Sequence, residues 1–477
     1  MVSNKLIEFK QQIGRCKMYQ TGVYQKIRYF WVRLIIIAIA SAFFVSPQYG
    51  INSAYAGLQE TPDEDITKVG DFFQWFLPAA AFGSTFFVRG PDGKMWDKEG
   101  TWQSLKSIGS TVITTQALKE ITEKIRPRSF TGSTVSAISF PSGHTSAAFS
   151  GAAFINTRYG PWWGVPSYAA ALFTAYSRVQ ASAHFLDDFT AGAAIGLMYN
   201  WLWVTPQSWS GKFAIAPIAL DEGTGLQVTM AMGDDAKKDA DAQKIKPKDP
   251  RFRFNFGFGP AYLEKNEITS PTSGGTTFDL YDFDRINDPT TTAGIEFDIF
   301  LNKHNELSFF WLPLETRDTG QFSNDVFFAG QTFPANTDMV SAWQQNEIRA
   351  RYRYNIIPES NWQIKLGAGL MVQYTEIELA TANFSQLAGV DDWVALPILN
   401  GSIGYKITPW LTFSVDAEGI YLSDDAMIDA IAAFNFKIGH SWDITLGYEY
   451  YARDIETSDL TNHVIYNVPY LAVAHSW

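Results

Sequence analysis

The chain of 477 residues is long enough for two or three domains. Its formal net charge is −12, and residues 1–56 hold seven of the basic residues and one acidic residue, so the remainder carries −18, which argues against a nucleic-acid partner. The single cysteine, Cys16, falls in that leading segment, which excludes disulfides and a thiolate metal site from the rest and suits the periplasm.

Residues 1–33 are basic, and Leu34 to Val45 is apolar but for Ser41, twelve residues, too short to span a bilayer comfortably. Ala54-Tyr55-Ala56 follows as a small-x-small cleavage site. The pattern predicts a secretory signal peptide over 1–56, with an uncleaved anchor as the alternative. From Thr61 to about Thr205 the period is helical. Pro62-Asp63-Glu64-Asp65 is an acidic helix start. The aromatic-rich segment from Phe72 to Phe87 is expected to break at Pro78. Helices are expected near 102–125, from His144 to Thr157, from Tyr168 to Gln180 and from His184 to Val204, the second opening with small residues that allow close packing. Asp71, Arg158, Asp187, Asp188 and Asn200 interrupt the apolar runs, so the segment reads as a packed helical domain rather than a set of membrane spans.

Three islands in this region carry chemistry. The first is Lys119 with Arg126-Pro127, the second Pro141-Ser142-Gly143-His144, and the third Ser177-Arg178 with His184 and Asp188. Lys119, Arg126 and Arg178 can neutralise the non-bridging oxygens of a phosphate. Ser142 and Gly143 stand at the mouth of a helix, where backbone N–H groups and the helix dipole favour an anion. His184 and Asp188 are four apart and share a helix face. The carboxylate can fix the imidazole tautomer and leave the other nitrogen free to attack. Arg178 and His184 lie six apart, about 120° off on a continuous helix. Both reach one phosphate only if the helix breaks, and a break is expected near Ala181 to Ala183.

Residues 212–232 read as a hairpin, and 233–250 as a charged linker. After Pro250 the period changes to two. Phe252, Phe254, Phe256 and Phe258 alternate with Arg251, Arg253, Asn255 and Gly257, and the same pattern recurs around Ile348 and Leu446. Strands that are aromatic on one face and charged on the other predict a transmembrane β-barrel. Ten strands are expected, at about 251–263, 290–302, 305–317, 345–357, 361–378, 391–406, 409–422, 426–438, 441–454 and 464–476. Short and long connections alternate, except at 423–425. Short turns face the periplasm in such barrels, so the helical domain is expected on the periplasmic side. His304, His440, His463 and His475 fall in turns, a loop and the last strand, with no Ser–His pair to make a second site such as a lipid deacylase.

The three islands, in order and spacing, resemble the type 2 phosphatidic acid phosphatase and vanadium haloperoxidase superfamily. The resemblance covers roughly residues 65–205. It implies that His184 is the nucleophile, Asp188 its orienting group and His144 the acid for the leaving group. Lys119, Arg126, Ser142, Gly143 and Arg178 would bind phosphate. The fold class is then α + β and multidomain. Residues 1–56 are a signal peptide, 57–208 a helical-bundle phosphatase domain, 209–250 a hairpin and linker, and 251–477 an outer-membrane β-barrel. The implied activity is a lipid phosphatase without metal or cofactor. Its implied partners are a lipid phosphate substrate, outer-membrane lipids and, during biogenesis, the barrel-assembly machinery. A vanadate-dependent haloperoxidase and a pore or surface-interaction barrel with an inactive helical domain are the alternatives.

Overall fold

The computed structural model describes residues 63–90, 93–127, 138–207, 214–220, 223–229, 250–283, 289–358, 360–422 and 425–477. The signal-peptide and linker expectations lie outside the described residues. Among the described residues five helices precede the strands: α1 (Glu64–Phe87), α2 (Lys98–Thr122), α3 (Gly143–Tyr159), α4 (Pro161–Gln180) and α5 (Leu186–Trp203). Each start is chemically marked. Asp63 caps α1 by accepting from the N–H groups of Asp65 and Ile66, Asp97 caps α2, and Ser142 caps α3. Pro161 supplies a first-turn residue with no N–H to satisfy at the start of α4, just after Gly160 at φ 92°.

Two expectations about the helices resolve differently. Pro78 does not break α1, which runs unbroken from Glu64 to Phe87. The missing hydrogen bond is offset by packing: a Cβ on Gly151 of α3 would lie 2.4 Å from the Leu77 carbonyl carbon, so the two backbones touch at the proline. The expected break between Arg178 and His184 is present. α4 ends at Gln180, Ser182 sits at φ 47°, and α5 begins at Leu186. α3 is the central helix, and Ala148, Phe149 and Ala152 on it bury against Leu77 of α1 and Ala171 and Ala175 of α4. Among the described residues no helix is long and apolar enough to cross a membrane.

Strands β1 (Ala214–Leu220) and β2 (Gly223–Thr229) form a separate antiparallel hairpin. The barrel follows, built from β3 (Phe252–Thr269), β5 (Thr290–Phe300), β6 (Asn305–Gly320), β9 (Met339–Asn355), β10 (Trp362–Thr381), β11 (Leu387–Thr408), β12 (Leu411–Leu422), β13 (Asp425–Ile438), β14 (Trp442–Glu456) and β15 (Thr461–Ser476). Neighbours pair antiparallel in chain order, and β15 pairs with β3 to close the ring. At the rim, the Trp477 carbonyl accepts from the N–H groups of Arg251 and Phe252 at 2.9 and 3.0 Å. The ten strands are those expected, but several run further at the long-loop end. The expected loop 379–390 shrinks to 382–386 because β10 and β11 continue their ladder through Ala380 and Leu387. A short strand β4 (Phe278–Asp279) and the hairpin β7 (Val326–Phe328) with β8 (Gln331–Phe333) fold over that end.

Inside the barrel, Arg349 is paired with Glu347, Glu418 and Asp429, and Arg351 reaches Glu296 at 2.5 Å. Outside, aromatic side chains cluster at the short-turn end, with Trp362 against Tyr405 and Trp410 against Phe436. The helical domain lies on this outer wall. Trp201 of α5 stacks among Phe254, His475 and Trp477 at the rim, at centroid distances of 5.3, 5.5 and 5.4 Å. Higher up, Phe189 meets Trp311 at 6.0 Å and Phe140 meets Phe258 at 6.4 Å. The phenylalanines of β3 that would otherwise face lipid are thus partly covered by α5.

Candidate active site

The three islands meet at the N-terminal ends of α3 and α5. The Ser142 N–H donates to the Asp188 carbonyl at 2.9 Å, which holds the mouth of α3 in register with the first turn of α5. The Ser142 hydroxyl also accepts from Thr145. Just past α2, residues 125 and 138 bridge as a two-residue ladder. Lys119 donates to the Ser139 carbonyl at 3.1 Å, and Arg126 Nε to the Ile138 carbonyl at 3.1 Å. A Cβ on Gly143 would stand 3.9 Å from Lys119 Cε, so the lysine stem passes over the opening turn of α3.

The break after α4 turns His184 back toward α5. Its Nδ1 lies 3.3 Å from Asp188 Oδ2. A carboxylate only accepts, so Nδ1 carries the proton. Nε2 is then the bare nitrogen; it is buried and makes no hydrogen bond among the described residues. Asp188 Oδ2 also accepts from the Phe185 N–H at 2.9 Å and from the Ser139 hydroxyl. On the opposite side, His144 Nε2 is 3.1 Å from Asp71 Oδ1, and Arg178 Nη1 meets the same oxygen at 2.5 Å.

These groups hold one another's protonation. Burial lowers His184 to about 4 despite the pull of Asp188, so its imidazole is neutral near pH 7. Burial lowers His144 further, to about 2, helped by Arg178, His184, Arg126 and Lys119. All four therefore lie within electrostatic reach of His144. Lys119 is lowered to about 8, by burial first, with Asp188 opposing. Burial works to raise Asp188, but Lys124, His184 and Ser139 outweigh it and hold it to about 2.

All eight residues singled out in the sequence are therefore brought to one site. Three further participants were not singled out. Asp71 was read only as a polar break in an apolar run. Ser139 precedes the Pro-Ser-Gly-His island by two residues, and Lys124 sits inside the Lys119–Arg126 interval. Their own sequence context carries no mark of a site; only the fold turns them inward.

A helical bundle with a histidine–aspartate pair and three cations, joined to a closed barrel, defines the class. Residues 100–212, which include all eight site residues, match the PAP2 superfamily. The chain thus carries a PAP2 superfamily domain followed by a closed ten-stranded antiparallel barrel. A lipid A 1-phosphatase of Porphyromonas gingivalis is 39% identical over 72 residues, 14% of this chain and 16% of that protein. A lipid A 4′-phosphatase of Helicobacter pylori is 38% identical over 72 residues, 14% of this chain and 36% of that protein. The chain thus spans well under half the length of either relative. Among solved structures, the outer membrane protease OmpT of Escherichia coli is similar over 49% of this chain and 99% of its own, with a TM-score of 0.36 and 7% identity. LpxE of Aquifex aeolicus is similar over 29% of this chain and 82% of its own, with a TM-score of 0.24 and 20% identity.

Proposed function

We propose that the protein is a phosphatase anchored in the outer membrane by its barrel, hydrolysing a lipid phosphate monoester or pyrophosphate through a phosphohistidine at His184. The observation that carries this reading is the bare, buried Nε2 of His184, with Asp188 behind it and the charges of Arg126 and Lys119 acting on it. Nε2 attacks phosphorus while Lys119, Arg126, Arg178 and the opening turn of α3 hold the non-bridging oxygens. The phosphorus–oxygen bond to the lipid breaks, and the leaving oxygen takes a proton from His144. His144 is neutral in the free site because burial, and after it the cations, depress it. A bound phosphate monoanion offsets those cations and brings the proton that His144 carries into the first step. Neutral again after the first step, His144 takes a proton from water, which attacks the phosphohistidine and releases phosphate. Asp188 stabilises the imidazolium that forms on His184.

The cation set supplies the charge neutralisation, so the reaction is expected to proceed without a metal. On this reading the catalytic domain belongs at the periplasmic end of the barrel, where a signal peptide would deliver it and where short turns lie in such barrels. Outer-membrane lipids surround the barrel, and the barrel-assembly machinery inserts it. The relatives named as lipid A phosphatases make lipid A phosphates the first substrates to test. Purified full-length protein should release phosphate from one or more of lipid A 1-phosphate, lipid A 4′-phosphate, phosphatidic acid, phosphatidylglycerol phosphate and an isoprenyl pyrophosphate, with EDTA present. No release from any of them, or full release by His184→Ala, would sink the proposal.

A further inference from the structure

Lys124 is a fully buried cation of the helical domain that is not among those assigned to phosphate. The chain leaves α2 through Glu123, whose φ of 48° turns the backbone sharply, and the Lys124 side chain enters the protein with 1% exposure. Its ammonium stands 2.6 Å from Asp187 Oδ2 and donates at 2.9 Å to the carbonyl of Thr291, which belongs to β5 in the barrel wall. It lies 3.6 Å from Asp188 Oδ1, the buried oxygen that makes no hydrogen bond among the described residues. The rings of Phe185 and Phe140 flank it at 4.4 and 5.9 Å. From the wall, Glu315 of β6 faces the same cluster and is itself held by Arg317 Nε at 3.2 Å.

Burial alone would drive a lysine toward neutrality, yet Asp187 and Asp188 outweigh it and keep Lys124 above its ordinary value. Asp187, under the same burial, is pushed up to about 7, whereas Asp188, despite burial, is held low by Lys124 and His184. The carboxylate behind the nucleophile thus has two sides. One oxygen faces His184, and the other faces a cation fastened to the barrel.

Resting on the reading of His184 and Asp188 given above, we propose that Lys124 is a positioning residue for that pair, held in place by the outer wall of the barrel through Thr291. The barrel would then complete the electrostatics of the active site as well as anchor it. Without Lys124, Asp188 would sit charged in an apolar enclosure with its outer oxygen uncompensated. Both Asp188 and His184 would then bind protons more readily.

The test compares full-length wild type, Lys124→Met, Lys124→Arg and the double variant Lys124→Met/Asp187→Asn, which leaves no unpaired carboxylate at position 187. Phosphate release is followed against pH, and His184 is titrated by nitrogen NMR on histidine-labelled protein. Lys124→Met and the double variant should lower kcat tenfold or more, about, with KM little changed, and move the acid limb up by about one to three pH units, the usual effect of one adjacent opposite charge. Lys124→Arg should restore the limb. In Trp311→Ala/Phe258→Ala, which loosens the domain on the wall, the limb should move the same way. A kcat loss with an unmoved acid limb and an unmoved His184 titration would make Lys124 merely structural and overturn the proposal. An unmoved limb in the wall variant would overturn the barrel's part. If wild type releases no phosphate, the phosphatase reading fails, and the His184 titration alone still decides the role of Lys124.

Discussion

His184 and His144 are both held neutral, by burial in each case, and Lys119 is held near the edge of its charged range. The pH dependence follows with definite signs. In the proposed mechanism attack needs neutral His184, which exists above its pKa, so kcat/KM should fall as pH drops through about 4 rather than through the ordinary imidazole range. Phosphate binding as proposed needs the Lys119 ammonium, which exists below its pKa, so kcat/KM should also fall as pH rises through about 8. Lys119→Arg should remove the basic limb, since arginine stays charged. A basic limb that survives this substitution would assign it to another group. Asp188→Asn keeps the shape behind His184 but loses the charge that stabilises the imidazolium. It should lower the rate by several orders of magnitude while leaving binding nearly intact, measured as kcat against KM.

The same site depends on how closely two elements approach. A Cβ on Gly192 of α5 would fall 2.7 Å from the Ser142 carbonyl oxygen and 3.2 Å from the Ser146 nitrogen. Both atoms are backbone at the mouth of α3, so Gly192→Ala must push the phosphate-binding turn away from His184. The expected result is a fall in kcat of about a hundredfold, the usual cost of misplacing reacting groups by an ångström, with the helical content by circular dichroism unchanged. Near-wild-type kcat would mean that the two helices slide without cost. Much of this element arrangement was legible. The six-residue interval from Arg178 to His184 could not serve one phosphate on a straight helix, so it forced the break that Ser182 makes. The alternation after Pro250 located all ten barrel strands. Other features were not legible, for physical reasons. Proline signals a lost hydrogen bond, but Gly151, which lets α3 close on α1 at Pro78, lies far away in sequence. Phe254, Phe256 and Phe258 face outward, and an outward aromatic suits acyl chains and a packed helix equally well. Nothing along β3 or α5 separately says that each is the other's partner. The long-loop ends of β10 and β11 were placed short, at 378 and 391, whereas cross-strand pairing carries the ladder on through Ala380 and Leu387.

At the scale of the molecule, the barrel interior and the outside of the helical domain each set an expectation. Arg349, Arg351 and Arg353 span the lumen to Glu296, Glu306, Glu347, Glu418 and Asp429. A cavity among them measures about 30 Å³, room for a water or two. Full-length protein in a planar bilayer should therefore pass no steady current; stable single-channel steps would restore the pore alternative. The outside of the helical domain is unlike that of a water-bathed bundle. Trp75 is 72% exposed, Ile113 71% and Trp162 84%, with Phe76, Phe87 and Trp163 also uncovered. Scattered exposed apolar residues are ordinary, but large ones recurring along α1, α2 and α4 are not. α5 lies along the outer wall from the rim at Trp477 up to Trp311, the zone that a membrane barrel presents to lipid. With the barrel inserted, these side chains are expected to meet acyl chains, which removes the cost of exposing them to water and brings a lipid phosphate to the site from the side. In liposomes, tryptophan fluorescence from Trp75, Trp162 and Trp163 should be quenched by bromine on the acyl chains, and changing all three to Phe should remove that share of the quenching. Quenching of the same three by acrylamide in water, with none from brominated lipid, would place the helical domain clear of the bilayer.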